Sequence, residues 1–262
     1  MIPFAKGHAY GNDFLYVISR DTAGRSLEQL ARELCDRHTG VGADGLIVYD
    51  HTQDGASMQL LNADGSRAEV SGNGVRALAA LLLRDDTRSQ PQLVVETEGG
   101  TKRLTRMSRN GIRQTFRASM GQPSAIRRVT VTVDAEPIDL VTLNIGNPQA
   151  IILGPLPDDG RFQRLGSALE RHPTFPEGTN VEFVQVEAPD RVRIRIWERG
   201  VGPTTSSGTG SCASLVAAAT FGGAARDGEV IAPGGSQRVE WLEDSVYLTG
   251  WAEIVCEGTW LR

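Results

Sequence analysis

The sequence predicts an α+β fold of two pseudo-symmetric lobes, each with a mixed or antiparallel sheet around a central helix. Three observations predict it. Short segments alternate apolar and polar residues, two long apolar segments each follow a glycine-rich turn, and landmarks of the first half recur in the second.

The strand pattern is clearest over residues 129–133 and 192–197, where apolar and polar side chains alternate with the period of a half-buried strand. Such alternation leaves one face of a sheet polar. Continuous parallel sheets are instead apolar on both faces, so the sheets are predicted to be antiparallel or mixed.

Three helices are predicted. An amphipathic helix over residues 26–35 places Leu27, Leu30, Ala31 and Leu34 on one face. Two further helices, from about 74 to 83 and from about 210 to 219, are apolar nearly all round, which is typical of central, buried helices. The last of these should stop at the glycine pair 222–223.

The halves of the sequence resemble each other. Ser71-Gly72-Asn73-Gly74 recurs 136 residues later as Ser207-Gly208-Thr209-Gly210. Gly11-Asn12 recurs after 135 residues as Gly146-Asn147, and Gly42-Ala43-Asp44 after 136 as Gly178-Thr179-Asn180. The constant order and spacing predict a duplicated lobe, with two copies facing each other across a cleft and a boundary near residues 115–125.

Composition excludes several functions. The net charge of −5 gives no basic field for a nucleic acid partner. Lys6 and Lys102 are the only lysines, and neither lies in a context suited to a pyridoxal phosphate Schiff base. Three scattered cysteines predict a reducing, cytoplasmic location rather than a disulfide framework.

No membrane or export segment is expected. The longest strongly apolar stretch, residues 78–83, is far shorter than the roughly 20 residues that cross a bilayer. The N-terminal residues reach polar side chains and glycine at once, without the apolar core of a signal peptide.

The two glycine turns carry the functional prediction. A helix that starts at a Gly-x-Gly turn presents backbone N–H groups and a positive dipole end, which bind anions such as a substrate carboxylate. Reaction at a stereocentre needs a proton-transfer group on each face, and Ser71 and Ser207 precede the two turns. Residue type alone favours helix N-caps over bases, because His8, His38, His51 and His172 form no pattern with either serine.

Several segments together resemble the diaminopimelate epimerase family, in the family's order and over nearly the whole chain. They are Gly11-Asn12-Asp13-Phe14, residues 35–45, Asn62-Ala63-Asp64-Gly65-Ser66, residues 72–76, Gly146-Asn147-Pro148, residues 178–181, Glu198-Arg199-Gly200-Val201-Gly202 and Gly208-Thr209-Gly210.

The resemblance implies an epimerase that interconverts LL- and meso-diaminopimelate without cofactor or metal, for lysine and cell-wall precursor synthesis. It implies a small amino-acid substrate, no nucleic acid or membrane partner, and a homodimer. The implied lobes are residues 1–118 and 119–250, with a tail strand at 251–262 returning to the first lobe.

The resemblance also implies the catalytic positions. The family's proton-transferring cysteine pair aligns with Ser71 and Ser207, and Gln149 stands where the family usually has a histidine. Glu198 belongs to the same implied catalytic group. Cys212 lies one helical turn past the second glycine turn, so it does not replace the missing thiol and is expected to be a buried small residue.

The implied substrate-binding residues match the family better than the catalytic ones. The distal amino-acid end of the substrate is assigned to side chains at Asn12, Asn62, Asn147, Asn180, Glu198 and Arg199. The reacting carboxylate is assigned to the backbone at Gly72, Asn73, Gly208 and Thr209. Asp44 and Asp64 are expected to cap turns rather than to contact substrate.

Two explanations of the serines and two rival functions stay open. The serines are either substitutions introduced into an ordinary epimerase or features of a natural homologue with altered chemistry. A non-catalytic amino-acid-binding homologue and a racemase or isomerase of another amino acid are the rival functions.

Overall fold

A computed structural model describes residues 1–262, and its contacts divide the chain into two compact units. The first unit comprises Met1–Ala118 and Gly250–Arg262, and the second comprises Ser119–Thr249. Strands β8 and β17 each run through one of the division points.

The elements of the first unit alternate strands with two α-helices. They are β1 (Ile2–Ala9), β2 (Asn12–Ile18), a 3₁₀ helix (Ser19–Thr22), α1 (Leu27–Cys35), β3 (Gly45–Thr52), β4 (Gly55–Asn62), β5 (Arg67–Ala68), α2 (Gly72–Leu82), β6 (Gln92–Glu96), β7 (Lys102–Asn110) and β8 (Arg113–Gly121).

The second unit repeats this order after one additional strand. Its elements are β9 (Ser124–Val133), β10 (Glu136–Asn144), β11 (Pro148–Leu153), α3 (Asp159–Glu170), β12 (Asn180–Ala188), β13 (Arg191–Glu198), β14 (Gly202–Thr204), α4 (Gly208–Ala217), a π turn (Ala218–Gly222), β15 (Asp227–Ala232), β16 (Gly235–Trp241) and β17 (Val246–Trp260).

Strand pairing is the same in both units. In the first, β1–β2, β3–β4 and β6–β7 are antiparallel while β2–β3 and β4–β6 are parallel. In the second, β10–β11, β12–β13 and β15–β16 are antiparallel while β11–β12 and β13–β15 are parallel. The mixed sheets confirm the predicted α+β class, and the matching topology is what a duplicated lobe produces.

The C-terminal part of β17 belongs to the first unit. Ile2 pairs with Trp260 and Phe4 with Gly258 in an antiparallel ladder between β1 and β17. The second unit has a counterpart, because β9 pairs antiparallel with β10. In each unit, therefore, one further antiparallel strand lies beside the first strand of the repeated order: β17 beside β1, and β9 beside β10.

The two apolar helices form the cores of their units. Helix α2 is buried from Asn73 to Leu81, and α4 is buried along nearly its whole length. Both helices pack within the largest apolar cluster of their unit. The prediction of central helices is confirmed, and the glycine pair ends α4 and its π turn with Gly223 in the left-handed region at φ 79°.

Helix α1 begins after Ser26, as predicted from its amphipathic pattern. The Ser26 side chain accepts a hydrogen bond from Gln29 N, and Leu30 and Leu34 are buried against a smaller apolar cluster. Helix α3 is the structural counterpart of α1 in the second unit and was not predicted from the sequence. Its signals are the Asp158 N-cap and the buried residues Phe162, Leu165 and Leu169.

No helix of the structure combines the length and the apolar character needed to cross a bilayer.

Candidate functional site

The N-terminus of α2 is built as the sequence predicts. Ser71 is the N-cap, and its Oγ accepts a hydrogen bond from Gly74 N at 3.1 Å. The first intrahelical hydrogen bond is donated by Val75 N to Ser71 O. The backbone N–H groups of residues 72 and 73 therefore precede the first hydrogen bond of the helix. The helix start has the geometry of an anion-binding end.

Three amide and guanidinium side chains are joined beside this helix start. Asn73 Nδ2 donates to Asn12 Oδ1 at 3.2 Å, and Arg76 Nη1 donates to Asn73 Oδ1 at 3.1 Å. Asn12 Nδ2 donates in turn to Asp44 Oδ2 at 2.8 Å. The predicted residues Asn12 and Asn73 are therefore brought together, and Asp44 orients Asn12 besides binding the local backbone at Asp13 N.

A charged network underlies Asn12 and was not found by sequence reasoning. Arg37 donates to both Asp13 oxygens at 3.2 and 2.7 Å and to Asp44 Oδ1 at 2.8 Å. Lys6 Nζ lies 3.0 Å from Asp13 Oδ2. Burial acts to raise the pKa of Asp13, but the hydrogen bonds from Arg37 and Lys6 outweigh it and hold that pKa below its usual value.

This network predicts a pH-dependent contribution to stability. A carboxylate whose pKa is lower in the folded chain stabilises it fully above the unfolded pKa, about pH 4, and loses that contribution as the pH falls through the folded pKa. Denaturant titrations of the unmodified chain and of Asp13→Asn should therefore show a difference in unfolding free energy that is largest near pH 7 and shrinks below about pH 4. A difference that does not depend on pH would show that Asp13 is not held ionised by its partners.

Asn62 and Asp64 form a turn beside this network. Asp64 Oδ1 accepts from Ser66 N at 2.8 Å and from Ser66 Oγ at 2.6 Å, which confirms the predicted turn cap. Asn62 Nδ2 donates to Ser66 Oγ at 3.0 Å. Asn62 also pairs with Gly45, the residue that follows Asp44, so the structure brings it to the same end of the sheet as Asn12.

The N-terminus of α4 repeats the geometry of α2. Ser207 is the N-cap, with its Oγ accepting from Gly210 N at 3.1 Å, and Ser211 N donates the first intrahelical bond to Ser207 O. The predicted residues Gly208 and Thr209 are the first two of the helix, and Thr209 Oγ1 lies 3.5 Å from Ser207 Oγ.

The second unit gathers its remaining predicted amides next to this helix start. Asn147 Nδ2 lies 3.5 Å from Thr209 Oγ1, and Asn147 Oδ1 lies 2.6 Å from the Gln149 amide. Asn180 pairs with Gln149 across the parallel strands β11 and β12, and its Nδ2 donates to Pro148 O at 3.2 Å. One continuous polar cluster therefore joins these residues to the glycine turn.

Asn180 also holds the strand end that carries Glu198 and Arg199. Asn180 Oδ1 accepts from Arg199 N at 3.0 Å, and Arg199 Nη1 donates to Glu177 O at 3.1 Å. The next turn is fixed by Glu170 of α3, whose carboxylate accepts from Trp197 Nε1 at 2.8 Å and from Gly200 N at 2.9 Å. Because α3 was missed in the sequence, Glu170 was missed as the support of this segment.

A buried acid lies in this cluster and was also missed. Glu182 of β12 is fully buried and forms no salt bridge. The Gln149 amide lies 3.0 Å from both of its oxygens. Burial raises the pKa of Glu182 well above its usual value, and the Glu198 carboxylate adds to the rise.

None of the three cysteines lies at a helix start. Cys35 is buried, and burial raises its pKa to about 12, so it holds no thiolate near neutral pH. Cys212 is fully buried in the core around α4, as predicted for a small buried residue, and Cys256 is exposed on β17. No group of three or more His, Cys, Asp or Glu side chains is arranged to hold a metal ion.

The family model described as "Diaminopimelate epimerase" matches residues 4–126 and 141–255. The diaminopimelate epimerase of Desulforudis audaxviator is 40% identical to this chain and the alignment covers 99% of both proteins. That of Desulfitobacterium hafniense is 38% identical, covering 98% of this chain and 97% of its own.

Among solved structures, a hydroxyproline epimerase from Agrobacterium vitis superposes with a TM-score of 0.75 at 16% sequence identity. The match covers 98% of this chain and 91% of the other. At that identity the likeness concerns the fold alone.

Proposed function

This chain belongs to the diaminopimelate epimerase family, and from that membership we propose that it interconverts LL-2,6-diaminopimelate and meso-diaminopimelate by two-base proton transfer without a cofactor. One observation supports the proposal above all others. Each unit carries a buried helix whose serine N-cap and glycine turn have the same hydrogen bond, 3.1 Å from serine Oγ to the glycine N–H. The proposal assigns both helix starts to one substrate.

The reacting carboxylate is assigned to the two helix starts. Backbone N–H groups of residues 72, 73, 208 and 209 and the positive ends of the helix dipoles would bind it. The same groups stabilise negative charge that spreads from the α-carbon into the carboxylate when the α-proton leaves. Ser71 and Ser207 would then meet opposite faces of that carbon, one removing the proton and the other supplying one.

The distal amino-acid end of the substrate is assigned to the side chains around these helix starts. The guanidinium of Arg199 suits a carboxylate, and Glu198 suits an ammonium group. Asn12 and Asn62 of the first unit and Asn147 and Asn180 of the second supply amide donors and acceptors. Gln149 cannot carry a proton near neutral pH, so its assigned role is to hold neighbouring groups by hydrogen bonds.

Turnover is proposed to be slow because both acid/base positions are serine. A hydroxyl is a poor base near pH 7 unless a neighbour takes its proton. Both serine oxygens also accept a backbone hydrogen bond as N-caps, which uses part of their capacity as acceptors. The setting proposed for this reaction is the cytoplasm, within lysine and cell-wall precursor synthesis, with the protein as a homodimer.

Binding is tested by titration calorimetry with diaminopimelate, proline and glutamate. We expect one diaminopimelate per chain and weaker binding of the other amino acids. Arg199→Ala should weaken diaminopimelate binding by about 10- to 100-fold, because a hydrogen-bonded charge pair contributes about 1.5–3 kcal/mol. Arg191→Ala, which removes an exposed arginine at the start of β13, the strand that Arg199 directly follows, is the matched control.

Two results would contradict this function. Tight binding of another amino acid with no diaminopimelate binding would indicate a racemase or isomerase of that compound. Equal binding of LL- and meso-diaminopimelate, with no activity gained by restoring thiols at positions 71 and 207, would indicate a non-catalytic binding protein.

A further inference from the structure

The two units differ in what lies next to the glycine turn of the central helix. A methyl group on Gly210 would stand 2.6 Å from Glu182 Oε1 and 3.1 Å from Ser207 Oγ. A methyl group on Gly74 would stand 2.7 Å from Ile47 Cδ1. The space beside Ser207 is therefore bordered by a carboxyl group, and the corresponding space in the first unit by a hydrocarbon.

Strand register shows that these neighbours occupy equivalent positions. Phe14 of β2 and Gln149 of β11 are each paired in parallel with a residue of the next strand, at residues 45 and 180. Ile47 and Glu182 lie two residues further along those strands. The apolar pair Phe14 and Ile47 of one unit is thus replaced in the other by the polar pair Gln149 and Glu182.

Replacing an apolar pair with Gln149 and Glu182 is unfavourable for the stability of the fold. Taking an acid out of water is unfavourable by several kcal/mol if it stays ionised, and Glu182 forms no salt bridge that would offset this. An apolar pair fills the same place in the first unit, so the fold itself does not require an acid there. A buried acid that packing does not require, placed next to a candidate proton-transfer group, is typical of a functional site.

We propose that Glu182 exchanges a proton with Ser207 and so gives this serine, and not Ser71, an internal base. The inference rests on the proposed function. As Ser207 Oγ takes the α-proton of the substrate, the hydroxyl proton of Ser207 passes to the Glu182 carboxylate, and the electrons of the broken C–H bond stay on the substrate. In the reverse direction the Glu182 carboxyl returns a proton to Ser207 as Ser207 delivers its own to the α-carbon.

The geometry allows this transfer. Glu182 Oε1 and Ser207 Oγ lie 2.6 and 3.1 Å from the same point, the Cβ position of a side chain at residue 210, so one intervening water molecule can join the two oxygens. Burial raises the pKa of Glu182 toward neutral pH, and a general base works best when its pKa is close to the pH of the reaction. Of the elements around β12, β13 contributes the Glu198 carboxylate, β11 the neutral Gln149 amide, and α4 no acid or base except the Cys212 thiol.

The Gln149 amide fits both protonation states of Glu182. With its oxygen toward the acid, it accepts the proton of a neutral carboxyl while its nitrogen donates to Asn147 Oδ1 at 2.6 Å. With its nitrogen toward the acid, it donates to both carboxylate oxygens at 3.0 Å and its oxygen accepts from Asn180 Nδ2 at 3.2 Å. The Asn147 amide then turns its nitrogen toward the Gln149 oxygen, because two amide oxygens 2.6 Å apart would repel each other. A glutamine at this position can therefore hydrogen-bond Glu182 in either protonation state.

The first test needs no substrate. A thiol is introduced by Ser207→Cys, with and without Glu182→Gln, and its alkylation by iodoacetamide is followed by peptide mass spectrometry from about pH 5 to about pH 10. Two coupled groups titrate in two steps. We therefore expect the alkylation rate of Ser207→Cys to rise with pH in two steps, and in a single step when Glu182→Gln is also present. The control is Ser71→Cys, whose profile should not respond to Glu182→Gln.

Unchanged profiles at position 207 overturn the proposal whether or not the protein acts on diaminopimelate. If Glu182→Gln does not fold, Glu182→Asp replaces it. We then expect the two steps to persist with shifted midpoints, and a single step would overturn the proposal.

The second test uses substrate in deuterated water. Glu182→Gln should lower epimerisation by about 100-fold in both directions, because the equilibrium constant between the isomers is fixed. Exchange that retains configuration should fall for the isomer deprotonated by Ser207 and keep its original, slow rate for the isomer deprotonated by Ser71. An equal loss of retained exchange for both isomers, with an unchanged pH profile, would mean that Glu182 is only structural. No exchange or binding by any form would contradict the proposed function, and the thiol titration would still decide the role of Glu182.

Discussion

Restoring thiols at both helix starts, Ser71→Cys with Ser207→Cys, should raise the rate of α-proton exchange and epimerisation by about 10²- to 10⁴-fold. A thiol has an ordinary pKa of about 8.5, and a helix N-terminus lowers it, whereas a serine hydroxyl is scarcely ionised at pH 7. The N-cap hydrogen bond from Gly74 or Gly210 is directed at the side-chain atom that would carry the thiolate charge. Deuterium incorporation from solvent into diaminopimelate measures the gain.

The single variants separate the two positions. Each should gain exchange with retention for one isomer only, while rapid epimerisation needs both thiols. Ser124→Cys, at an exposed position of β9, is the matched control for an added thiol and should leave the rate unchanged. Equally rapid exchange by the unmodified serine form would show that thiolates are not required for the chemistry.

Local sequence patterns predicted the parts of the fold that have a clear period. Helices α1, α2 and α4 and strands β9 and β13 follow from apolar spacing, and Ser71 and Ser207 are the N-caps that their residue type favours. These features depend on neighbours a few residues away, which the sequence shows directly.

The features that were missed depend on contacts that are distant in sequence. The Arg37–Asp13 pair spans 24 residues, and the bond from Trp197 Nε1 to Glu170 spans 27. Glu182 lies between apolar residues in a strand whose first five residues are buried. An acid within such an apolar segment is the feature of the sequence from which a buried carboxyl group could have been predicted. Only the comparison with Ile47 at the equivalent register shows that the acid is specific to one unit.

Gly210→Ala should destabilise the protein by about 1–3 kcal/mol, the range typical of overpacking in a well-packed interior. The new methyl group would lie 2.6 Å from Glu182 Oε1 and 3.1 Å from Ser207 Oγ. Glu182 cannot move aside without losing the contacts of both oxygens with Gln149. Gly74→Ala should be milder, because the atom it meets, Ile47 Cδ1, is the free end of an apolar side chain.

Denaturant unfolding of these two variants and of Gly160→Ala measures the differences. Gly160 lies in the first turn of α3, and a methyl group there would meet nothing closer than Asp158 Oδ1 at 3.5 Å. That control should therefore be neutral or stabilising by up to about 1 kcal/mol, through the lower entropy of the unfolded chain. A Gly210→Ala protein as stable as Gly160→Ala would mean that Glu182 yields freely, and the carboxyl would then not be fixed beside Ser207.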